Sequence, residues 1–406
     1  MPRNYASKMS GNNSYVFDDL PWHLPLDEWP GKTQRLEELP RGESRHPVVF
    51  VNYAGVLYAI KEMPGELAEK EYKLLVALDN AKLQVVKPVT WRLSAYPTTP
   101  RRGLLITRYL EYSIPYRALF QHGGLERYRK HLLDAIASLL VQLHLGGVFW
   151  GDCSLSNTLF RRDAGALQAY LVDAETVEVH PKGLPPELRH LELEIMEENL
   201  GREMSELFYT TAQTDALPGV AVPLTDVGLY IRLRYQSLWE EVRKEIVINP
   251  DERYRIQERI RSLNELGFSV GSVEMIESGA GSQVILRPTV TDRTFHRDQL
   301  LCLTGLDAEE MQARTLMNEI LEIQAILSRQ ENRNVPVNAA AYYWLNTIYQ
   351  PTVARLRGMV NEITDEVELY CEVLENKWYL SEQAQHDVGH EAAAIDYVRR
   401  FSMRAG

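Results

Sequence analysis

The sequence predicts an α+β protein built as two lobes, the first rich in strands and the second in helices, followed by a C-terminal, mostly helical domain. Three observations carry this. Two β-rich runs, VVFV from Val48 and VLYAIK from Val56, flank Asn52-Tyr53-Ala54-Gly55, the pattern of a hairpin. Leu125, Tyr128, Leu132, Ile136, Leu139, Leu140 and Leu143 recur at steps of three and four, the signature of a long helix with one buried stripe. From about residue 301 onward nearly every segment has helical periodicity.

In chain order, residues 1 to about 32 hold Asn, Ser, Pro, Trp22 and Trp29 without periodicity, which reads as an arm lying on a domain. The hairpin follows. Glu66 to Leu78 reads as a helix with Leu67, Leu74, Leu75 and Leu78 on one side, and Val85-Val86 and Leu104-Leu105-Ile106 as short buried strands. Gly146-Gly147 closes the long helix. Leu159-Phe160 and Tyr170-Leu171-Val172 are expected as strands about a turn at Asp163-Ala164-Gly165, and beyond Pro185 the chain is mainly helical to about Glu245. A small mixed module then comprises a helix from Glu252 to Leu266 and strands at Phe268 to Ile276 and Gln283 to Leu286. Asp307 with Glu310 suggests a capping box ahead of the apolar face Ala313, Leu316, Met317, Ile320 and Leu327. Further helices are expected at Ala339 to Ile348, Thr352 to Ile363, Val367 to Leu380 and Val388 to Phe401. The implied divisions are 1–44, an arm with a phosphate loop; 45–111 and 112–245, two lobes; 246–300, the mixed module; and 301–406, the helical domain.

Composition narrows the functional classes. With 45% hydrophobic and 25% charged residues over 406 positions, the chain has the balance of a globular protein with ample core. No apolar run of about 18 residues is present, so no spanning helix is expected. Residues 1–14 are polar, and the expectation is a cytoplasmic protein. A net charge of −12 disfavours coating nucleic acid or an anionic membrane, which needs clustered Lys and Arg. Cys153, Cys302 and Cys371 lie far apart, as reduced thiols do, and offer no zinc spacing. His386 and His390, four apart, lack an evident third metal ligand. The aromatic load of the C-terminal domain, Tyr342, Tyr343, Trp344, Tyr349, Trp378 and Tyr379, is expected in its core.

The chemistry concentrates in one constellation. Lys61 closes the second strand of the hairpin, and Ala59, two residues earlier, shares its face, leaving room beside the lysine for a flat ring. A lysine in a cleft needs a carboxylate to hold it; Glu71 on the next helix is the first choice and Glu69 the second. Further on stands Gly151-Asp152-Cys153-Ser154-Leu155-Ser156-Asn157, and after a hairpin and an apolar strand Leu171-Val172-Asp173-Ala174-Glu175. Phosphoryl transfer needs positive charge on the donor phosphates, oxygens for Mg²⁺ and a carboxylate to orient the attacking hydroxyl, and Lys61, Asn157 with Asp173, and Asp152 offer these in that order. Glu175 is a candidate further oxygen ligand.

On these motifs residues 45 to 240 resemble the protein-kinase-like superfamily, in the branch of lipopolysaccharide kinases and aminoglycoside phosphotransferases. Residues 285 to 402, with Leu-Arg-Pro-Thr-Val at 286–290, Leu-Thr-Gly-Leu at 303–306 and Lys-Trp-Tyr-Leu-Ser-Glu at 377–382, resemble the C-terminal domain of an uncharacterised bacterial family, domain of unknown function 4032. The resemblance implies a bilobal protein-kinase-like fold, ATP and magnesium as cofactors, Asp152 as the catalytic carboxylate and Asn157 and Asp173 on the metal. It leaves the acceptor open and allows a protein partner for the C-terminal domain.

The sequence departs from the family pattern: neither an activation loop with a clear phosphosite nor an APE-like signature follows Asp173. No GxGxxG loop precedes the hairpin, so phosphate contact falls to Ser44, Arg45 or backbone amides. Trp150 stands where a histidine usually precedes the catalytic aspartate, and Ser154 where protein-serine kinases carry lysine. Three readings follow: an active kinase of small or large molecules, a nucleotide-binding pseudokinase or scaffold recruiting a partner through its C-terminal domain, and transfer of a nucleotidyl group.

Overall fold

The computed structural model describes residues 17–39, 45–98, 100–121, 126–212, 227–244, 246–248, 272–277, 284–289, 294–356 and 365–402. Ser44, Leu125 and the helix expected at 252–266 lie outside them. The chain forms two compact units: the first is Met1–Arg161 with Ala169–Leu238, the second Arg162–Gln168 with Trp239–Gly406.

The first unit begins with a short 3₁₀ turn, Leu26–Glu28, and the strands β1 (Leu36–Glu37), β2 (Val48–Tyr53) and β3 (Val56–Pro64). Helix α1 (Gly65–Asn80) follows, then β4 (Pro88–Leu93) and β5 (Arg102–Arg108). The five strands make one antiparallel sheet in the order β1-β2-β3-β5-β4. The hairpin register sets Val48 against Lys61 and Tyr53 against Val56. One face of the sheet is apolar and carries the arm: Phe17, Leu20, Trp22, Leu26 and Trp29 pack with Val49, Val51, Tyr58, Ile60, Leu104 and Ile106. Tyr58 and Ile60 point into that core, so the period of two turns Ala59 and Lys61 to the other face. The Leu26 amide donates to Glu62 at 2.9 Å, which ties the arm to the strand bearing Lys61.

Helix α1 spans what the periodicity predicts, but its buried face is Ala68, Glu71, Leu75 and Leu78, with Leu67 and Leu74 only partly covered. A carboxylate thus sits on the apolar stripe. The helix approaches β5 closely because both carry glycine there: a Cβ on Gly103 would stand 2.7 Å from that of Ala68 and 2.9 Å from the Gly65 Cα. Val85 and Val86 are buried but form no strand; Val85 makes a single parallel bridge to Leu171.

The helical lobe contains β6 (Ile114–Pro115), α2 (Tyr116–Gln121), α3 (Glu126–Leu145), β7 (Val148–Phe149), β8 (Thr158–Asp163), β9 (Ala166–Leu171), β10 (Glu178–Val179), α4 (Pro186–Ala212) and α5 (Val227–Arg243). Leu132, Ile136, Leu139, Leu140 and Leu143 of α3 are fully buried, as their spacing requires. Strands β6, β8 and β9 form one small sheet, and β7 pairs with β10.

In the second unit β11 (Ile246–Ile248), β12 (Ser272–Glu277) and β13 (Val284–Thr289) form an antiparallel sheet in the order β11-β13-β12. Its helices are α6 (Phe295–Thr304), α7 (Glu310–Gln330), α8 (Val337–Trp344), α9 (Gln350–Leu356), α10 (Glu366–Ala384) and α11 (Gly389–Ser402). The capping box ahead of α7 is made by Glu309 and Gln312 and not by Asp307 and Glu310. Glu310 instead accepts from the His296 and Arg297 amides, and Asp307 pairs with Arg297 at 2.8 Å. A π-helical segment, Leu345–Tyr349, joins α8 to α9 without a break just before Pro351, a residue that cannot donate the next helical hydrogen bond.

The aromatic expectation divides. Trp344 and Tyr349 are core, whereas Tyr342, Tyr343, Trp378 and Tyr379 are exposed. His390 pairs with Glu319, while His386 donates to the Ala384 carbonyl, so the two histidines serve separate local contacts.

Candidate nucleotide and metal site

All the described candidates for the site lie in the first unit. Lys61 reaches two carboxylates: Nζ is 3.1 Å from Glu71 and 2.8 Å from Asp173. Glu69 faces away and pairs with Lys73 at 2.7 Å, so Glu71 is the partner. Burial would lower the Lys61 pKa, but the fields of Glu71 and Asp173 outweigh it and hold the ammonium charged. Burial pushes Glu71 up to about 7 against the pull of Lys61, with Asp173 adding to the rise. One cation therefore serves two carboxylates.

Asp152 stands in a loop whose backbone is held by α4. Glu192, fully buried, accepts from the amides of Trp150 at 2.6 Å and Gly151 at 3.1 Å. Glu203 accepts from Leu155 at 2.8 Å and Ser156 at 2.9 Å, and from the Ser156 hydroxyl. Loop amides have no ladder or helix partner to fall back on and a buried unpaired amide is costly, so two carboxylates fix the loop's shape. Burial raises Glu192 to about 7 despite both amides. Gly151 has φ +79°, and a Cβ there would lie 3.1 Å from the Thr176 carbonyl oxygen, so the turn that presents Asp152 needs glycine.

The Asp152 carboxylate accepts from the Asn157 amide at 3.0 Å, from the Asn199 amide at 3.1 Å and from Arg45 at 3.3 Å. Both asparagine amides also donate to backbone, at the carbonyls of Asp152 and Cys153, 3.1 Å each. With its Nδ2 committed in this way, Asn157 retains Oδ1 as an acceptor. Asp173 receives the Glu175 amide at 3.1 Å on Oδ1 and Lys61 on Oδ2. The indole of Trp150 donates to the Asp173 carbonyl at 3.2 Å, which gives the residue in the usual histidine position a defined task. Glu175 meets His46 at 3.3 Å, and Lys70 donates to the Glu175 carbonyl at 3.0 Å. Cys153 is fully buried and burial raises its thiol well above the ordinary value, which leaves it inert packing.

The structure thus brings Lys61, Glu71 and Asp173 into one contact set, and Asp152, Asn157 and Arg45 into another. Ala59 lies on the Lys61 face of β3. Sequence reasoning did not single out Glu192, Asn199 and Glu203. Their signal was present: three polar side chains at spacings of seven and four, interleaved with the buried stripe Leu193, Met196, Leu200, Met204 and Leu207 of one helix.

A metal fit can be judged from the donors. Asn157 Oδ1 and the Asp173 carboxylate are hard oxygens, the kind Mg²⁺ takes in small number while keeping water and phosphate oxygens for the rest. Among the described residues no group of three or more His, Cys, Asp and Glu is placed to hold a metal ion.

The chain is an α+β protein with an N-terminal sheet lobe and a C-terminal, mostly helical domain. Comparison gives this a family context: residues 56–196 match the lipopolysaccharide kinase (Kdo/WaaP) family, and residues 237–401 match a domain of unknown function, DUF4032. Among solved structures the chain is similar to WaaP in complex with acyl carrier protein, at 14% identity and a TM-score of 0.32, over 58% of this chain and 89% of that one. A search of curated proteins returns no match. Among the described residues no helix is long and apolar enough to cross a membrane.

Proposed function

We propose that this chain is an ATP- and magnesium-dependent phosphotransferase with an alcohol as acceptor. The observation that carries the reading is Lys61, clasped by buried Glu71 and by Asp173. A divalent cation on Asp173 and Asn157 would supply a second positive charge where one lysine now serves two acids, and Lys61 would be released toward the donor phosphates. Ala59, small and on the same face, leaves space for the adenine ring. Arg45, whose side chain is 87% exposed, would take over phosphate contact from the missing glycine-rich loop. Asp152 accepts the hydrogen bond of the incoming hydroxyl and aligns it; Asn157 and Asn199 fix its rotamer.

A second reading, a nucleotide-binding scaffold, is favoured by the exposed aromatics Tyr342, Tyr343, Trp378 and Tyr379, which suit a protein partner. Incubation with γ-labelled and α-labelled ATP separates phosphate transfer, nucleotidyl transfer and neither. For the site itself, ATP at a hundredfold its Kd stabilises a protein by about 2.7 kcal/mol, so the melting temperature is expected to rise with ATP only when magnesium is supplied. Asp173→Asn is expected to abolish that rise, and a rise of wild-type size in this variant removes Asp173 from the site.

A further inference from the structure

The hairpin β8–β9 joins the two proposed metal ligands. Asn157 directly precedes β8, Asp173 follows two residues after β9, and Arg162–Gln168, the turn between them, belongs to the second unit. Within that unit the turn is held by reciprocal pairing. Asp163 accepts from the amides of Met311 at 3.2 Å and Gln312 at 2.7 Å, in the first turn of α7. In return Glu368, in the first turn of α10, accepts from the amides of Ala164 at 2.8 Å and Gly165 at 3.0 Å. The Gln312 amide bridges the two halves, donating to the Arg162 carbonyl, to Asp365 and to Glu368 at 3.3, 3.2 and 2.8 Å. Arg162 adds an ion pair to Glu372 at 3.5 Å. Asp163, Gln312 and Glu368 are fully buried.

Hairpin turns are ordinarily solvated and tolerant. This one places a buried carboxylate on a helix N-terminus and receives one from another, an arrangement that gives the amides of Met311, Gln312, Ala164 and Gly165 partners and admits little play. A hydrogen-bonded strand pair is stiff, so a turn fixed at one end constrains the residues at the other.

We infer that the C-terminal domain positions the metal site: by holding the hairpin turn through Glu368 and Gln312 it fixes the placement of Asn157 and Asp173. As far as it concerns metal, the inference rests on the function proposed above. Glu368 is a positioning residue, far in sequence from both ligands.

The test uses the full chain with Glu368→Ala, and with Glu368→Gln, which keeps one acceptor oxygen at the same size. Amide hydrogen exchange without nucleotide reads the hairpin directly. Exchange at Thr158–Phe160 and Ala169–Val172 is expected to rise about tenfold or more in Glu368→Ala, less in Glu368→Gln, and to stay unchanged at Val49–Ile60. In parallel, the magnesium concentration for half-maximal ATP-induced stabilisation is expected to rise about 10- to 100-fold, the usual cost of removing an outer support of a metal ligand. A folded Glu368→Ala protein with wild-type exchange at those amides overturns the inference; if alanine prevents folding, the same result with Glu368→Gln does so. A wild-type protein that shows no magnesium-dependent ATP response sinks the proposed function alone, since the exchange measurement still decides whether the domain holds the hairpin.

Discussion

Removing the Asp152 carboxylate separates catalysis from architecture more cleanly than any other change, because of how its neighbours are bonded. Asp152→Ala deletes three hydrogen bonds, from Asn157, Asn199 and Arg45. Neither asparagine is orphaned, since each amide keeps a carbonyl at 3.1 Å. Arg45 is exposed and returns to water, and an exposed ion pair contributes little. Asp152 itself is partly exposed, so water takes up what the carboxylate leaves. The stability cost is then about 1 kcal/mol, a melting shift of a few degrees. Loss of a positioned acid or base costs about 10² to 10⁴ in rate, or about 3 to 5 kcal/mol of barrier. Melting temperature, ATP affinity and single-turnover rate measured on one preparation are expected to give a near-normal melt, a near-normal Kd and turnover down by that factor. A stable Asp152→Ala protein with wild-type turnover refutes the assignment; activity lost only in proportion to folded protein shows that Asp152 merely shapes the loop.

Two other substitutions probe the same site. Lys61→Met leaves Glu71 buried without its cation. Its folded pKa, already about 7 against an ordinary 4.5, rises further, and because the folded state then holds the extra proton, stability falls as pH rises through that interval. The melting temperature of Lys61→Met, relative to wild type, is therefore expected to fall more at pH 8.5 than at pH 5.5, with ATP binding lost at both; an equal drop at the two pH values contradicts the pairing. Glu192→Gln leaves a single acceptor for the Trp150 and Gly151 amides and turns an N–H toward them, so denaturant unfolding is expected to show a loss of about 1 to 3 kcal/mol with a raised exchange rate at those two amides. Unaltered exchange there would remove Glu192 as the support of the loop.

The sequence by itself determined what depends on short-range pattern. The hairpin, the helix that follows it, the long stripe of α3 and the strand pair before Asp173 are all legible because periods of two and of 3.6 are set by backbone geometry within a few residues. The same locality made Lys61, Asp152, Asn157 and Asp173 recognisable as an ordered set. Tertiary structure decided whatever depends on which distant groups share a dry interior. The sequence ranks Glu71 ahead of Glu69 without excluding the second, and only the folded helix shows Glu71 buried on Lys61 and Glu69 on Lys73. The cap of α7 moved from Asp307 to Glu309 because Asp307 pairs with Arg297 and Glu310 is drawn to the amides of His296 and Arg297. The spacing of Glu192, Asn199 and Glu203 along a buried stripe is local, but that they meet the amides and carbonyl of the Asp152 loop is not. Asp163 and Gln312 are 149 positions apart, and no local pattern states that a turn's carboxylate will end on a helix terminus that far along the chain. Buried polar groups must find partners, but the sequence does not say where; the fold does, because desolvation makes the unpaired alternative more costly than bringing remote segments together.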